Sequence, residues 1–108
     1  MKLTRAPFEK IANGSKTIES RLYDKKRQQI NLGDHIKFVC SDEPTKAIMT
    51  QIKELYRYST FNDLFSAFPP EDFGGTSAEE LLKEIYTFYS KNEEIQYGVF
   101  GIRVELVE

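Results

Sequence analysis

Three short segments that alternate between apolar and polar residues constrain the fold more than any other feature of the chain. They cover residues 17–23, 35–40 and 99–107. A period of two places successive side chains on opposite faces, so the pattern predicts three β-strands with one buried face each. Residues 47–58 also fit a strand, although their mixed periodicity leaves a helix open as an alternative.

Helix signals occupy the segments before and between these strands. Residues 4–14 form one short helical segment, with Pro7 in its first turn and Gly14 at its end. Residues 60–68 and 77–89 each begin with Thr or Ser followed three residues later by Asp or Glu, which is typical of a helix N-terminus. The apolar residues of the last segment recur at helical spacing as far as residue 89.

The resulting element order is α-β-β-β-α-α-β, which predicts an α+β fold. The predicted architecture is a small β-barrel with flanking helices, completed by the C-terminal strand. Four strands are few for closure, so we expect a further strand within residues 43–60. With 108 residues, of which 40% are hydrophobic, the chain fits a single domain spanning residues 1–108.

Composition excludes several function classes. The net charge is −2, which argues against non-specific coating of DNA. Cys40 is the only cysteine, so neither an internal disulfide nor a cysteine-based zinc site is expected, and we interpret it as an apolar core residue. The acidic pairs have no histidine nearby, so neither a metal nor another cofactor is expected. No apolar run is long enough for a signal peptide or membrane span, which predicts a cytoplasmic protein.

Lys16, Glu19 and Arg21 lie within six residues, directly after the Gly14 turn. Glu19 and Arg21 share one strand face, and Lys16 can lean over the same surface. A carboxylate between two cations stays ionised and offers a polar ligand both donors and acceptors. The alternative is a solvated row of salt bridges of little energetic value. If the stretch is a site, we expect Lys16 to be an exposed turn residue whose replacement abolishes ligand binding and leaves the fold intact.

Other residues could extend a binding surface. Tyr23 lies on the strand face of the charged residues, where its ring could stack on a base or pack on a neighbouring strand. Lys25, Lys26 and Arg27 form the densest basic run, either a solvated turn or a phosphate contact. His35, the only histidine, is interpreted as a surface residue at the start of a strand.

The stretch "GSKTIESR" resembles the G-x-K-x-x-E-x-R signature of the ASCH family, a group of small domains related to PUA RNA-binding barrels. "INLGDHIKF" is similar to the turn and strand that follow it in that family, and "FYSKNEEIQYGVFGI" to its later elements. The resemblance extends from Pro7 to Val104. It implies a PUA-like small β-barrel with flanking helices, and a cleft lined by the signature that binds RNA, a nucleotide or a modified nucleoside.

Some small bacterial members of that family are amidohydrolases that remove acetate from N4-acetylcytidine. The resemblance maps their lysine onto Lys16 and their threonine onto Glu19, so the hydroxyl is missing here. Their later glutamate falls near Glu71 or Asp72. Two alternatives to a binding domain therefore stay open. One is an amidohydrolase in which Lys16, Glu19 and Glu71 are catalytic, with Glu19 as a general base towards water. The other is a protein-interaction module.

Overall fold

A computed structural model describes residues 1–107, and it contains one five-stranded sheet with the strand order β1-β3-β4-β5-β2. Two 3-10 turns, Arg27–Gln29 and Pro70–Phe73, and four α-helices connect the strands. The predicted α+β class is confirmed. The elements are β1 Lys2–Leu3, α1 Arg5–Ala12, β2 Ile18–Leu22, β3 His35–Cys40, β4 Glu43–Tyr58, α2 Phe61–Ala67, α3 Ala78–Ile85, α4 Lys91–Tyr97 and β5 Val99–Leu106.

Strand β4 holds the sheet together because it is long enough to pair with two partners. Its first half pairs with β3 and its second half with β5, with a register shift between Ile52 and Glu54. It begins at Glu43, four residues before the predicted start at residue 47. The helix alternative for residues 47–58 is wrong. The additional strand is β1, at the N-terminus, and not a second strand within residues 43–60.

The sheet curls into a half-barrel instead of closing completely. Its two edges are β1, which pairs in parallel with β3, and β2, which pairs antiparallel with β5. The predicted strands at residues 17–23 and 35–40 therefore share one sheet but are not neighbours, since β4 and β5 lie between them.

Two hydrophobic clusters cover the two faces of the sheet. The inner cluster joins side chains from four strands with Phe8 and Ile11 of α1, and this convergence of strands identifies the concave face. The outer cluster joins Ile18 and Leu22 of β2 to α2, α3 and the second 3-10 turn. Gly101 permits the close approach of α2, because a Cβ there would lie 2.9 Å from a Leu64 methyl carbon.

The helices follow their sequence signals at the start and differ at the end. The Thr60 and Ser77 hydroxyls each accept the predicted N-terminal hydrogen bond. The capping box at Ser77 is incomplete, because the Glu80 carboxylate accepts hydrogen bonds from Thr76 and not from the backbone N–H of Ser77. Helix α3 ends at residue 85, four residues before the predicted end. A further helix, α4, then starts at a complete capping box formed by Ser90 and Glu93.

None of the helices within residues 1–107 is long and apolar enough to cross a lipid bilayer. In the same part of the chain, His, Cys, Asp and Glu side chains do not gather in groups of three that could hold a metal ion.

Candidate functional site

Glu19 lies on the concave face of the half-barrel. In the β2–β5 register it is opposite Ile102, while Arg21 is opposite Phe100, and both of these β5 residues belong to the inner cluster. Only 5% of the Glu19 side chain is exposed. The expectation that β2 has a single buried face is therefore wrong, because the outer face is packed against α2 and the inner face is also enclosed.

The carboxylate of Glu19 is held by two cations and one backbone amide. Oε1 accepts from Lys16 Nζ at 2.9 Å and from the Ser20 backbone N–H at 3.2 Å. Oε2 accepts from Arg21 Nη2 at 2.9 Å and from Arg21 Nε at 3.1 Å. These four bonds occupy the lone-pair sites of the carboxylate. We call Lys16, Glu19 and Arg21 the charged triplet.

Electrostatics keep Glu19 and Arg21 ionised. Burial would raise the pKa of Glu19, but the charges and hydrogen bonds of Lys16 and Arg21 outweigh it, so the pKa lies below its usual value. Burial likewise opposes the charge of Arg21, and Glu19 and the Tyr89 hydroxyl outweigh it, so the Arg21 pKa is raised. One carboxylate between two basic side chains gives the triplet a net positive formal charge inside the protein.

Lys16 is not the exposed turn residue that the sequence suggests. Its side chain is 11% exposed and lies beneath the loop that follows the second 3-10 turn. Gly74 of that loop has a φ of +82°, and a Cβ there would lie 3.2 Å from Lys16 Cδ. Lys10 Nζ donates to the Gly74 carbonyl at 2.6 Å, which fixes the loop over Lys16. The premise that Lys16 is exposed is wrong, and the expectation that its replacement leaves the fold intact stays a prediction.

Arg21 connects the two edges of the half-barrel. Besides binding Glu19 on its own strand, Nη2 donates to the backbone carbonyl of Lys2 on β1 at 3.1 Å. The side chain is 16% exposed. Since β1 and β2 do not pair with each other, this contact spans the open seam of the sheet.

A cavity of about 270 Å³ opens at the seam, with the charged triplet in its wall. The rest of the lining comes from two sides. The side formed by β1, α1, β2 and the end of β3 is mixed, with Lys2, Thr4, Lys10, Ser20 and Ser41 beside the apolar Leu3, Ala6 and Pro7. The side formed by α2, α3 and the turns that follow them is mainly apolar and aromatic, and comprises Phe65, Phe73, Leu81, Glu84, Ile85, Phe88 and Tyr89.

Two other predicted site residues lie away from this cavity. The Tyr23 ring packs edge-on against Phe100 at 4.9 Å and carries the Arg57 guanidinium at 3.9 Å from its centre. Glu71 is exposed on the second 3-10 turn and does not line the cavity. The neighbouring Asp72 faces Arg103 at 3.4 Å, which fastens the turn to β5.

The basic run is divided between solvent and an internal ion pair. Lys25 and Lys26 are exposed, whereas Arg27 pairs with Asp24 at 3.3 Å. Its Nε is buried and has no hydrogen-bond partner among residues 1–107. His35 is exposed at the start of β3. Cys40 is fully buried in the inner cluster, as expected of an apolar filler, and its thiol donates to Asp42.

Sequence reasoning missed most of the cavity wall. Phe88 and Tyr89 were interpreted as the inner face of a longer α3, and only the end of that helix at residue 85 places them in a turn at the cavity. Ser20 alternates with Ile18 and Leu22 of the outer cluster, so the alternation does not indicate that it lines the cavity. Lys2 had no local signal, because its position depends on the pairing of a two-residue strand.

A family model for the ASCH domain matches residues 1–108 of the sequence. The chain belongs to the ASCH domain family. The resemblance carried by the "GSKTIESR" stretch is thereby confirmed at the level of the family. ASCH domains are generally RNA-binding or hydrolase-like.

Solved structures agree with this assignment. The hypothetical protein PH0355 is 33% identical to this ASCH domain, with 99% of this chain and 96% of that chain covered and a TM-score of 0.85. Protein PF0455 from Pyrococcus furiosus is 29% identical over 100% of this chain and 99% of its own, with a TM-score of 0.73. No curated protein matches the sequence.

A more distant structure supports the fold alone. The S128A mutant of ZmASCH from Zymomonas mobilis is 15% identical, covers 97% of this chain and 65% of its own, and has a TM-score of 0.61. The predicted PUA-like architecture with flanking helices is confirmed, in the form of a half-barrel.

Proposed function

We propose that this ASCH domain binds a nucleotide, a modified nucleoside or a single base of an RNA strand in the seam cavity. The observation that carries the proposal is the charged triplet, buried beneath an aromatic wall in one cavity. A nucleobase has the same two-sided chemistry, with apolar faces and an edge of hydrogen-bonding groups.

The size of the cavity favours one base with its sugar. Pockets for drug-sized ligands occupy roughly 300–1,000 Å³. At about 270 Å³ the cavity lies just below that range, so it suits a small ligand or one base turned out of a strand. A folded RNA helix would contact only the surrounding surface.

Within the triplet, Lys16 is the group best placed to bind the ligand. An ammonium group has three donors, and Glu19 takes one of them. Glu19 has its four acceptor positions occupied, so its role is to orient Lys16 and Arg21 and not to accept from a base amino group. We therefore assign ligand carbonyl or phosphate oxygens to Lys16.

The same geometry argues against hydrolysis with Glu19 as the base. A general base works best when its pKa is near the operating pH, whereas the pKa of Glu19 is lowered and its oxygens are engaged. Glu71, the other carboxylate considered for this role, does not line the cavity. Neither of the two carboxylates that the family pattern maps onto a base is suited to that role, so binding without turnover is the function that we favour.

Calorimetric titration with nucleosides, their 5′-monophosphates and N4-acetylcytidine tests the proposal. Lys16→Met keeps the alkyl chain that packs under Gly74 and removes the charge. Removal of a charge-assisted hydrogen bond to the ligand should weaken binding by about ten- to a hundredfold. Lys53→Met is the matched control, because Lys53 is exposed and pairs only distantly with Glu105. Circular dichroism establishes that each variant is folded.

Three results would contradict the proposal. If none of these compounds binds the unaltered protein, the cavity has another class of occupant, and the protein-interaction alternative gains weight. If folded Lys16→Met binds as well as the unaltered protein, the triplet does not contact the ligand. Acetate release from N4-acetylcytidine would assign the domain to hydrolysis instead.

A further inference from the structure

Phe88 differs from every other phenylalanine of the chain. It is 60% exposed, whereas Phe68 is half-buried and the remaining six are buried. Phe88 nevertheless lines the seam cavity from the turn that follows α3. An exposed aromatic ring at the mouth of a cavity forgoes the stabilisation that burial gives the other rings.

The turn that carries Phe88 is anchored by its neighbours. The Tyr89 ring stacks on Phe61 of the outer cluster, with centroids 5.9 Å apart and planes 12° from parallel. The Tyr86 hydroxyl donates to the buried carboxylate of Glu94 at 2.8 Å. Within residues 1–107, Phe88 itself has no aromatic neighbour at stacking distance. Its ring is therefore held at the mouth by fixed residues, with a free face.

We propose that Phe88 is a stacking platform for the base of the ligand, so that it determines selection of a flat aromatic compound. This inference rests on the proposed function, and it adds the part of the ligand that the aromatic wall recognises. Stacking is available from any nucleobase because every base has a π-face. Recognition at Phe88 therefore distinguishes compounds with a base from compounds without one, and distinguishes poorly among the bases.

The chain contains no tryptophan, so Trp at this position is a single reporter that can be excited at wavelengths where its six tyrosines do not absorb. Phe88→Trp keeps an aromatic platform and reports on stacking directly. Ile95→Trp is the matched control, because Ile95 is even more exposed and does not line the cavity. Both variants are titrated with AMP, CMP and ribose 5-phosphate. Phe88→Ala and Phe88→Tyr are titrated by calorimetry with the same compounds.

We expect AMP and CMP to quench Phe88→Trp emission to saturation, while ribose 5-phosphate leaves it unchanged. The emission of Ile95→Trp should respond to none of the three. Phe88→Ala should bind AMP on the order of tenfold more weakly, because the loss of the partner of one stacked base typically weakens binding by about five- to a hundredfold. Phe88→Tyr keeps an aromatic ring and should bind AMP about as well as the unaltered protein.

The outcomes separate this inference from the proposed function. If the unaltered protein binds AMP but neither quenching nor weaker binding by Phe88→Ala occurs, the base lies elsewhere, and the platform is wrong while the cavity assignment stands. Saturable quenching by ribose 5-phosphate would also overturn it, because no base is then needed. If no nucleoside or nucleotide of the calorimetric panel binds the unaltered protein, both proposals fail together.

Discussion

Replacing Glu19 by glutamine tests whether the buried ion pairs of the charged triplet stabilise the fold. The substitution conserves shape and removes the only negative charge between Lys16 and Arg21. Their side chains are 11% and 16% exposed, so neither cation regains full hydration in the variant. Breaking a buried ion pair by removing one partner costs about 3–5 kcal/mol. That is a large part of the roughly 5–15 kcal/mol that stabilises a typical domain.

An exposed triplet in the same chain provides the control. Glu43 lies between Arg5 at 3.3 Å and Lys46 at 3.6 Å, the same charge pattern, but its side chain is 43% exposed. Surface pairs of this kind contribute about 0–1 kcal/mol. Urea unfolding followed by circular dichroism should therefore show a much larger decrease in unfolding free energy for Glu19→Gln than for Glu43→Gln. Equal decreases in the two variants would refute the argument from burial.

The pH dependence provides a second test of the same reasoning. Burial disfavours the charged form of Glu19, but Lys16 and Arg21 outweigh it and lower the folded-state pKa below the ordinary value of 4.5. A lowered folded-state pKa gives stability that is present above pH 4.5 and is lost as the pH falls through the folded value. Glu19→Gln should lose this acid-dependent component, and an unchanged acid limb would contradict the assignment.

Two further predictions concern regions outside the triplet. Burial and the hydrogen bond to Glu94 raise the pKa of Tyr86 to about 12, so the free energy of unfolding should decrease as the pH rises from 10 towards 12. Tyr86→Phe should lack this alkaline decrease, and an identical decrease in both proteins would contradict the assignment. If exposed Lys25 and Lys26 bind RNA phosphates, replacing both by glutamine should flatten the salt dependence of RNA binding, by about 0.7 in the log–log slope for each phosphate no longer neutralised; an unchanged slope would assign them to solvent.

Local pattern was sufficient for the elements whose stability depends on their own residues. Strands β2, β3 and β5 follow from alternation, because the β-strand is the regular structure in which side chains alternate with a period of two. The starts of α2 and α3 follow from Thr60 and Ser77, whose hydroxyls accept bonds within one turn. The charged residues could also be identified from the sequence, because Lys16, Glu19 and Arg21 lie within six positions of one another.

Local pattern failed where an element exists because of distant partners. The two residues of β1 form a strand only because β3 offers its edge to them. The start of β4 is extended because β3 pairs with it, although its own residues resemble a loop. The end of α3 was missed because the apolar spacing continues through Phe88 and Tyr89 while the backbone turns towards the cap of α4 at Ser90.

The sequence by itself determined the fold class, the family signature and the identity of the charged residues, because alternation, capping and motif spacing are encoded within a few neighbouring positions. Only the tertiary structure decided that Glu19 is buried, that Arg21 spans the seam to Lys2, and that Phe88 lies at the cavity mouth. The physical reason is that burial depends on which segments cover a given face. That coverage is fixed by the strand order, which joins the first strand of the chain to the third and the last to the second.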